Sequence, residues 1–332
     1  LSLLLQSHAA GRDMCLVGKP GAGKSFMSRL FARALGYAPV QTLFIYQDMT
    51  ARDLLQRRST DEFGATTWIP TPLTVAMQEG RLAVLDGVHR LPVGTISALL
   101  RLLDEREITL FDGTSFVCPA RYAEMQERLG YTDAELAARG IYRVHPSFCV
   151  LALANPPTKQ DPWLNNEVLH LFHFFTVEMD LSSTLGKSRN IELLQNVVPG
   201  VPPDFSNAIS EFAMHMEQMD EDPLSSVKSP VSLRQMLRMA RRAAQYPGEV
   251  HSSLYNACMM MYMPRAEKEA VVALMDTVGI ARNDEEYSVS ALPLIVTDID
   301  GKETSDYSQG ATLQIGDITV ECATPENAAL VP

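Results

Sequence analysis

Apolar residues in the first half of the chain fall into short, strand-length runs separated by helical periods. Met14–Val17 is one such run, and it ends in a glycine-rich turn. Met27, Leu30, Phe31, Ala34 and Leu35 then share one face of a predicted helix, which Gly36 stops. Gln41–Tyr46 reads as a strand. Arg52 to Gly80 is mixed, with a turn at Glu62-Phe63-Gly64 and prolines on either side of Thr71. Leu82–Asp86 is a buried strand, and Ile96–Glu105 an amphipathic helix.

Glu107–Cys118 alternates about Asp112-Gly113, with Ile108 and Leu110 before the turn and Phe116 and Cys118 after it. Asp-Gly between alternating runs signals a hairpin. Arg121–Arg139 is charged and helical, as in a surface insertion. Phe148–Ala154 and His173–Glu178 are further strands.

After Asp180 the period changes. Ile191–Val198, Phe205–Met219, Ser232–Gln245, Ser252–Met263 and Ala266–Val278 read as helices. From Tyr287 the period returns to two, with Leu292, Leu294 and Val296 alternating, and Leu313, Ile315, Ile318 and Val320 flanking Gly316-Asp317. Strands alternating with helices, followed by helices alone, predict an α/β domain and then a helical one.

Composition narrows the class. The chain has 332 residues, 46% apolar and 20% charged, an ordinary balance for two or three globular units. Its net charge of −12 argues against an extended nucleic-acid surface, which needs clustered Lys and Arg. The five cysteines (Cys15, Cys118, Cys149, Cys258 and Cys322) sit at no metal-ligand spacing and read as reduced thiols. No apolar run reaches the roughly 18 residues of an integral membrane segment. No targeting peptide is visible, and the chain opens without Met, so it reads as a segment of something longer.

One motif carries chemistry. Gly18–Ser25 reads GKPGAGKS and fits G-x-x-x-x-G-K-[S/T] at each fixed position, between a predicted strand and a predicted helix. Gly21 and Gly23 let the backbone curl its N–H groups toward phosphate oxygens, and the helix start adds its positive end. Lys24 can reach the β- and γ-phosphates, and the Ser25 hydroxyl can ligate Mg²⁺. The expected nucleotide contacts are Gly18, Pro20, Gly21, Ala22, Gly23, Lys24, Ser25 and Phe26, with ATP and Mg²⁺ as ligands.

Leu82–Asp86 has the form of a Walker B strand, with Asp86 holding Mg²⁺ through water. The next position in most such ATPases is a Glu that polarises the attacking water; here it is Gly87. Asp104 and Glu105 are substitutes by composition only.

These motifs resemble the AAA+ superfamily, in its MoxR, midasin and dynein-like branch. The stretch WIPTPLTVAMQEGRLAVLDGVHRL, from Trp68 to Leu91, is similar to that branch's approach to Walker B, although typical members continue Asp-Glu-Ile-Asn-Arg where this chain has Asp86-Gly87-Val88-His89-Arg90. By the same resemblance, Asn155 in LALANPP holds the sensor 1 position and Arg234 in SPVSLRQML the sensor 2 position. The family's arginine finger falls on Leu171, so the resemblance implies a module without its own water-polarising Glu and without a finger for its neighbour.

The implied organisation is a P-loop core with a parallel sheet over 1–179, carrying a hairpin and insertion at about 107–146. A helical lid follows over 180–285 and a small β-region over 286–332. A narrower likeness, to one module of a long multi-module protein, rests on LQSH, ITLFDGT and the closing QIGDITVECATPENAALVP. It implies neighbouring AAA+ modules in the same chain or oligomer as partners, beside an unnamed protein client, and mitochondrial residence. Two other readings stay open: an active ATPase whose water is positioned by another carboxylate or a neighbour, and a structural module whose pocket takes no nucleotide.

Several patterns are weaker. Asp180-Leu181-Ser182-Ser183-Thr184 is similar to a von Willebrand A metal site but reads as a helix N-cap cluster. Asp298–Gly301 begins like a calcium loop and lacks its later ligands, so a hairpin turn is expected. Met214, Met216, Met219, Met259, Met260, Met261 and Met263 read as core filler. His170 and His173 read as structural or surface residues, and Arg238, Arg241 and Arg242 as a solvated helix face or a contact to the next module.

Overall fold

A computed structural model describes residues 1–60, 62–159, 162–178, 183–220, 231–245, 250–280, 294–298, 310–315 and 318–321. The chain divides into two compact units, Leu1–Val197 with Ile209–Arg238, and Val198–Ala208 with Met239–Pro332.

The first unit begins with α1 (Ser2–Ala9), β1 (Met14–Val17), α2 (Lys24–Ala34) and β2 (Gln41–Phe44). A short α3 (Ala51–Leu55) leads into the antiparallel ribbon β3 (Gln56–Thr60) and β4 (Thr66–Pro70). Then come α4 (Pro72–Glu79), β5 (Leu82–Asp86), α5 (Val93–Ser97) and α6 (Leu100–Asp104). The insertion holds β6 (Ile108–Thr109), β7 (Ser115–Val117), α7 (Pro119–Leu129), α8 (Asp133–Ala138) and β8 (Ile141–Arg143). The core closes with β9 (Cys149–Ala154), α9 (Asn166–Leu171) and β10 (His173–Thr176), and α10 (Thr184–Val197) follows.

Five strands form one all-parallel sheet in the order β10-β1-β9-β5-β2, which is the α/β architecture expected. Its central strands are apolar throughout because helices cover both faces. Met14, Leu16, Leu82, Val84, Cys149, Leu151 and Leu153 face α1 and α2, where Leu4, Phe31 and Ala32 pack. The alternate residues Cys15, Val17, Ala83, Leu85, Val150, Ala152 and Ala154 pack on the other face against Leu73, Met77, Ile96 and Val168.

A buried ion pair anchors the base of β1. The Asp13 carboxylate accepts from Arg106 Nη1 at 2.5 Å and from the Val150 N–H at 2.8 Å. Burial pushes the Asp13 carboxyl up, against the pull of Arg106.

The Asp112-Gly113 hairpin forms as expected, with Gly113 at φ 89° and the Thr114 N–H donating to Asp112 Oδ1 at 2.9 Å. Buried Gln56 ties it to the β3–β4 ribbon. Gln56 Nε2 donates to Asp112 Oδ2 at 2.8 Å, and Gln56 Oε1 accepts from the Phe111 N–H at 3.0 Å. Arg52 lies over both Trp68 and Phe111, whose rings stack at 6.3 Å.

Two expected helices are interrupted. Ile96–Glu105 breaks between α5 and α6, where the Leu99 N–H bonds to the carbonyl three residues back at Ile96. The same apolar face survives, with Ile96, Leu99, Leu102 and Leu103 buried. Helices α11 (Pro203–Asp220) and α12 (Leu233–Gln245) follow expectation, as does α14 below. The expected Ser252–Met263 helix is α13 (Val250–Ala257) and then a 3₁₀ turn at Met260–Tyr262, separated by Met259 at φ 55°.

The second unit also holds α14 (Arg265–Thr277) and the antiparallel strands β11 (Leu294–Asp298), β12 (Gly310–Ile315) and β13 (Ile318–Glu321). Ile315 pairs with Ile318 across the expected turn, whose Gly316 and Asp317 lie outside the described residues.

The weaker patterns resolve unevenly. Met216 and Met260 are core, but Met259 and Met261 are 58% and 65% exposed and depart from the core-filler reading. His173 Nδ1 bonds Ser7 Oγ at 2.7 Å, a structural role. Asp180, Leu181, Ser182, Cys322 and Asp300-Gly301 lie outside the described residues. Among the described residues no helix is long and apolar enough to cross a membrane. None of their His, Cys, Asp or Glu groups of three or more could hold a metal ion. Burial pushes the thiols of Cys149 and Cys258 up to about 12 and about 11, so neither is a reactive thiolate.

Candidate functional site

A parallel sheet gathers the carboxyl ends of its strands on one edge, and loops leaving that edge can converge. Val17 pairs with Ala154 and Asp86 with Leu153, so Gly18, Asn155 and Gly87 leave adjacent strands side by side. The Gly18 N–H bonds to Ala154 O at 3.1 Å and the Gly87 N–H to Leu153 O at 2.9 Å, which sets the register of all three exits.

The glycine-rich loop needs its glycines for two separate reasons. Gly21 and Gly23 have φ of 83° and 97°, a region costly for residues with a Cβ. Space is the second reason. A Cβ on Gly18 would lie 2.2 Å from Val177 O, and one on Gly21 would lie 2.5 Å from Ser232 Cβ. Gly23 caps α2, and its carbonyl accepts from the N–H groups of Phe26 and Met27 at 3.0 and 2.9 Å. Ahead of these, the N–H groups of Lys24 and Ser25 open α2 with no helical carbonyl a turn back to accept from them.

Lys24 is half-buried at the start of α2. Its ammonium donates to Gly18 O at 2.6 Å, Lys19 O at 3.1 Å and Asn155 Oδ1 at 3.1 Å. An ammonium has three protons, and these contacts use them all. Burial pulls the Lys24 pKa down; Asp86 opposes that shift and Arg234 adds to it. Lys24, Asp86, Asn155 and Arg234 thus share one electrostatic neighbourhood. Pro20 and Phe26 are exposed beside it, and Ala22 and Ser25 are half-buried.

Three neighbours were not legible as site residues. His89 sits three residues beyond Asp86, and its ring meets Asn155 twice, with Nδ1 3.2 Å from the Asn155 N and Nε2 3.0 Å from Nδ2. Trp163, 3% exposed, donates from Nε1 to Asn155 O at 3.0 Å and packs edge-on against His89. Ser232 opens α12 in a reciprocal cap, its N–H donating to Gln235 Oε1 at 2.9 Å and its Oγ accepting from the Gln235 N–H at 3.4 Å. The S-x-x-Q spacing signals that cap in sequence. Nothing local signals its approach to Gly21.

Other expected residues lie elsewhere. Gly87 is buried at φ 98°, and a Cβ there would sit 3.3 Å from Ile45 O. Leu171 ends α9 and is packed in the core, 9% exposed, so its side chain is structural. Asp104 and Glu105 are exposed at the end of α6, beside the Arg106 that pairs with Asp13. Asp13 precedes the first residue of β1, whereas the phosphate loop follows the last. Both carboxylates therefore sit at the opposite end of the sheet, and neither can replace a glutamate after Asp86.

Comparison with known proteins agrees with this geometry. Residues 13–172 match the family model described as AAA domain (dynein-related subfamily). The chain is 36% identical over 290 residues to von Willebrand factor A domain-containing protein 8 of Mus musculus, a match covering 86% of this chain and 15% of that protein. It is 36% identical over 109 residues to Protein NorQ of Paracoccus denitrificans, covering 32% of this chain and 39% of NorQ. The chain therefore spans a small part of the length of the curated relatives it matches. Among solved structures, NtrX from Brucella abortus in complex with ATP aligns at a TM-score of 0.47 and 15% identity, over 88% of this chain and 57% of that one, too loosely to carry an argument. Over residues 13–172 the chain carries an AAA domain of the dynein-related subfamily.

Proposed function

We propose that this chain is one AAA+ module of a longer protein, and that it holds ATP and Mg²⁺ while hydrolysing ATP slowly or not at all. Its role is then regulatory or structural: the bound nucleotide sets the geometry between modules. Residues 1–179 act as the core, 180–285 as the lid and 286–332 as the link to a following module. Partners are neighbouring AAA+ modules and a protein client. Mitochondrial residence is carried over from the resemblance.

The residues present fit the ligand. Gly21 and Gly23 hold the positive φ that lets the loop curl its N–H groups inward toward phosphate oxygens. Lys24 can exchange its carbonyl acceptors for phosphate oxygens, a charge-assisted gain. Gly18, Pro20, Gly21, Ala22, Gly23, Lys24, Ser25 and Phe26 form the nucleotide-contacting stretch, with Asn155 and Arg234 sensing the γ-phosphate. The Ser25 hydroxyl and Asp86 would hold Mg²⁺, which when bound neutralises phosphate charge.

The observation that carries the slow-hydrolysis reading is Gly87. The position after Asp86 has no side chain to polarise water, and its backbone at φ 98° is one that a glutamate adopts only under strain.

The test combines equilibrium binding of a fluorescent ATP analogue with multiple-turnover phosphate release, for the chain and its Lys24→Ala variant. Tight binding lost in Lys24→Ala, with turnover far below that of AAA+ motors, is the expected result. Motor-like turnover abolished by Lys24→Ala would establish an active hydrolase instead. Failure of ATP·Mg²⁺ to raise the melting temperature would establish an interaction module, because a ligand bound only to the native state must stabilise it.

A further inference from the structure

We infer that a cavity at the amino end of the parallel sheet is a second ligand site, built to take a small organic anion through its carboxylate or phosphate oxygens. It lies within the first compact unit, and the length of β1 separates it from the phosphate loop.

The cavity holds about 630 Å³, within the size of small-molecule sites, about 300–1,000 Å³. Its walls include His8 and Arg12 at the end of α1, Tyr37 after α2, and Arg106 in the turn after α6. Ser147 and Cys149, at the entry to β9, close it. Tyr37 ties two of these walls together, its hydroxyl donating to Ser147 O at 2.8 Å.

Charge selects the ligand. The chain has a net charge of −12, yet among the described residues no Asp or Glu lines this cavity. Tyr37 and Cys149, the wall groups able to become anions, are both pushed up to about 12 by burial, so they stay neutral. Arg12 and Arg106 leave the wall positive, and a concave wall of one sign concentrates ions of the other.

Arg106 is held ready for an anion. Its Nη1 donates to Asp13 Oδ2 at 2.5 Å and to the carbonyls of Leu102 and Leu103 at 3.3 Å each. Its Nε and Nη2 have no acceptor among the described residues, so most of the donor fork is unspent. The guanidinium also lies over the Phe148 ring at 5.4 Å, which helps to fix its plane. Asp13 does not line the cavity, and its other oxygen already accepts from the Val150 N–H at 2.8 Å. Arg12 is exposed, and its guanidinium has no partner among the described residues. Two guanidinium forks at one cavity match the paired oxygens of carboxylates and phosphates, and a fork fixed in advance loses little entropy on binding.

The test is isothermal titration calorimetry of the whole chain at fixed ionic strength. Citrate is the carboxylate probe and glycerol 3-phosphate the phosphate probe. Each titration is run in a Lys24→Ala background, which weakens the phosphate loop's own hold on anions. Arg12→Glu and Arg57→Glu make the same change in net charge, but Arg57 is exposed on β3 and does not line the cavity. One or both probes should bind one-to-one, and Arg12→Glu should weaken that binding about tenfold or more, the scale of a lost hydrogen bond between charged groups. Arg57→Glu should change it by less than about twofold, because salt screens distant charges. Arg106 is read in place, since its removal costs stability: its Nε–H resonance, assigned by its loss in Arg106→Lys, should shift as the probe saturates. Binding of citrate alone assigns a carboxylate ligand, and of glycerol 3-phosphate alone a phosphate ligand. Binding of neither probe, equal losses in Arg12→Glu and Arg57→Glu, or an unmoved Arg106 resonance at saturation overturns the site and leaves nucleotide binding untouched.

Discussion

Ser232 closes over Gly21 so tightly that a Cβ added to the glycine would lie 2.5 Å from Ser232 Cβ and 2.7 Å from Ser232 Oγ. The two residues are more than two hundred positions apart in sequence, and their contact places the first turn of α12, with Arg234, beside the phosphate loop. Gly21→Ala therefore meets a left-handed backbone and a steric overlap together. Gly36, at φ 74° with nothing within 4 Å of a built Cβ, meets only the first. Gly36→Ala should cost about 1–2 kcal/mol. Gly21→Ala should cost more and should also weaken nucleotide binding. Thermal melts of the two variants with and without ATP·Mg²⁺ decide the point; equal losses would mean that Ser232 yields freely.

Gly87→Glu is the obvious attempt to restore hydrolysis, and the backbone complicates it. At φ 98° any side chain is strained, and a Cβ contacts Ile45 O at 3.3 Å. Gly87→Ala and Gly87→Glu should lose similar stability, about 1–2 kcal/mol each. Their difference in phosphate release isolates the carboxylate from the strain. Turnover in Gly87→Glu well above that of Gly87→Ala would show that the missing glutamate is the limiting defect.

Arg106 holds a left-handed backbone at φ 57° while its guanidinium pairs with Asp13, whose side chain is 2% exposed. Removing one partner of a buried pair leaves the other charge stranded, so Arg106→Ala should cost about 3 kcal/mol. Arg106→Gly loses the same pair but relieves the backbone, and should come out about 1 kcal/mol more stable than Arg106→Ala. Chemical denaturation of both variants measures this, and the reverse order would place the strain elsewhere.

The two tryptophans are Trp68 and Trp163, and only Trp163 touches the site. In a Trp68→Phe background, the emission of Trp163 should shift when ATP·Mg²⁺ binds, because its Nε1–H is bonded to Asn155 O. Unchanged emission at saturating nucleotide would mean that Asn155 does not respond to the ligand.

The P-loop motif and its strand–loop–helix setting were legible because they depend on nearby residues: glycines that permit φ of 83° and 97°, and a lysine and serine opening a helix. The three central strands were legible as well, because a sheet buried on both faces demands unbroken apolar runs such as Cys149–Ala154. The β3–β4 ribbon was less so. Its Arg57 and Arg58 are exposed and show no apolar alternation, and it is tied down by Gln56, whose partners lie on a different hairpin. The break between α5 and α6 left no trace either, since both pieces bury the same face.

Local chemistry, then, was written into the sequence by itself: a phosphate loop, an acidic strand end at Asp86, a missing side chain at Gly87. Only the tertiary structure decided how those parts are connected. It brought His89 onto Asn155, seated Ser232 on Gly21, sent Asp104 and Glu105 to the far end of the sheet and packed Leu171 into the core. The reason is physical. A turn or strand answers to neighbours a few residues away, whereas a hydrogen bond between residues 66 positions apart exists only once packing has fixed where both strands end.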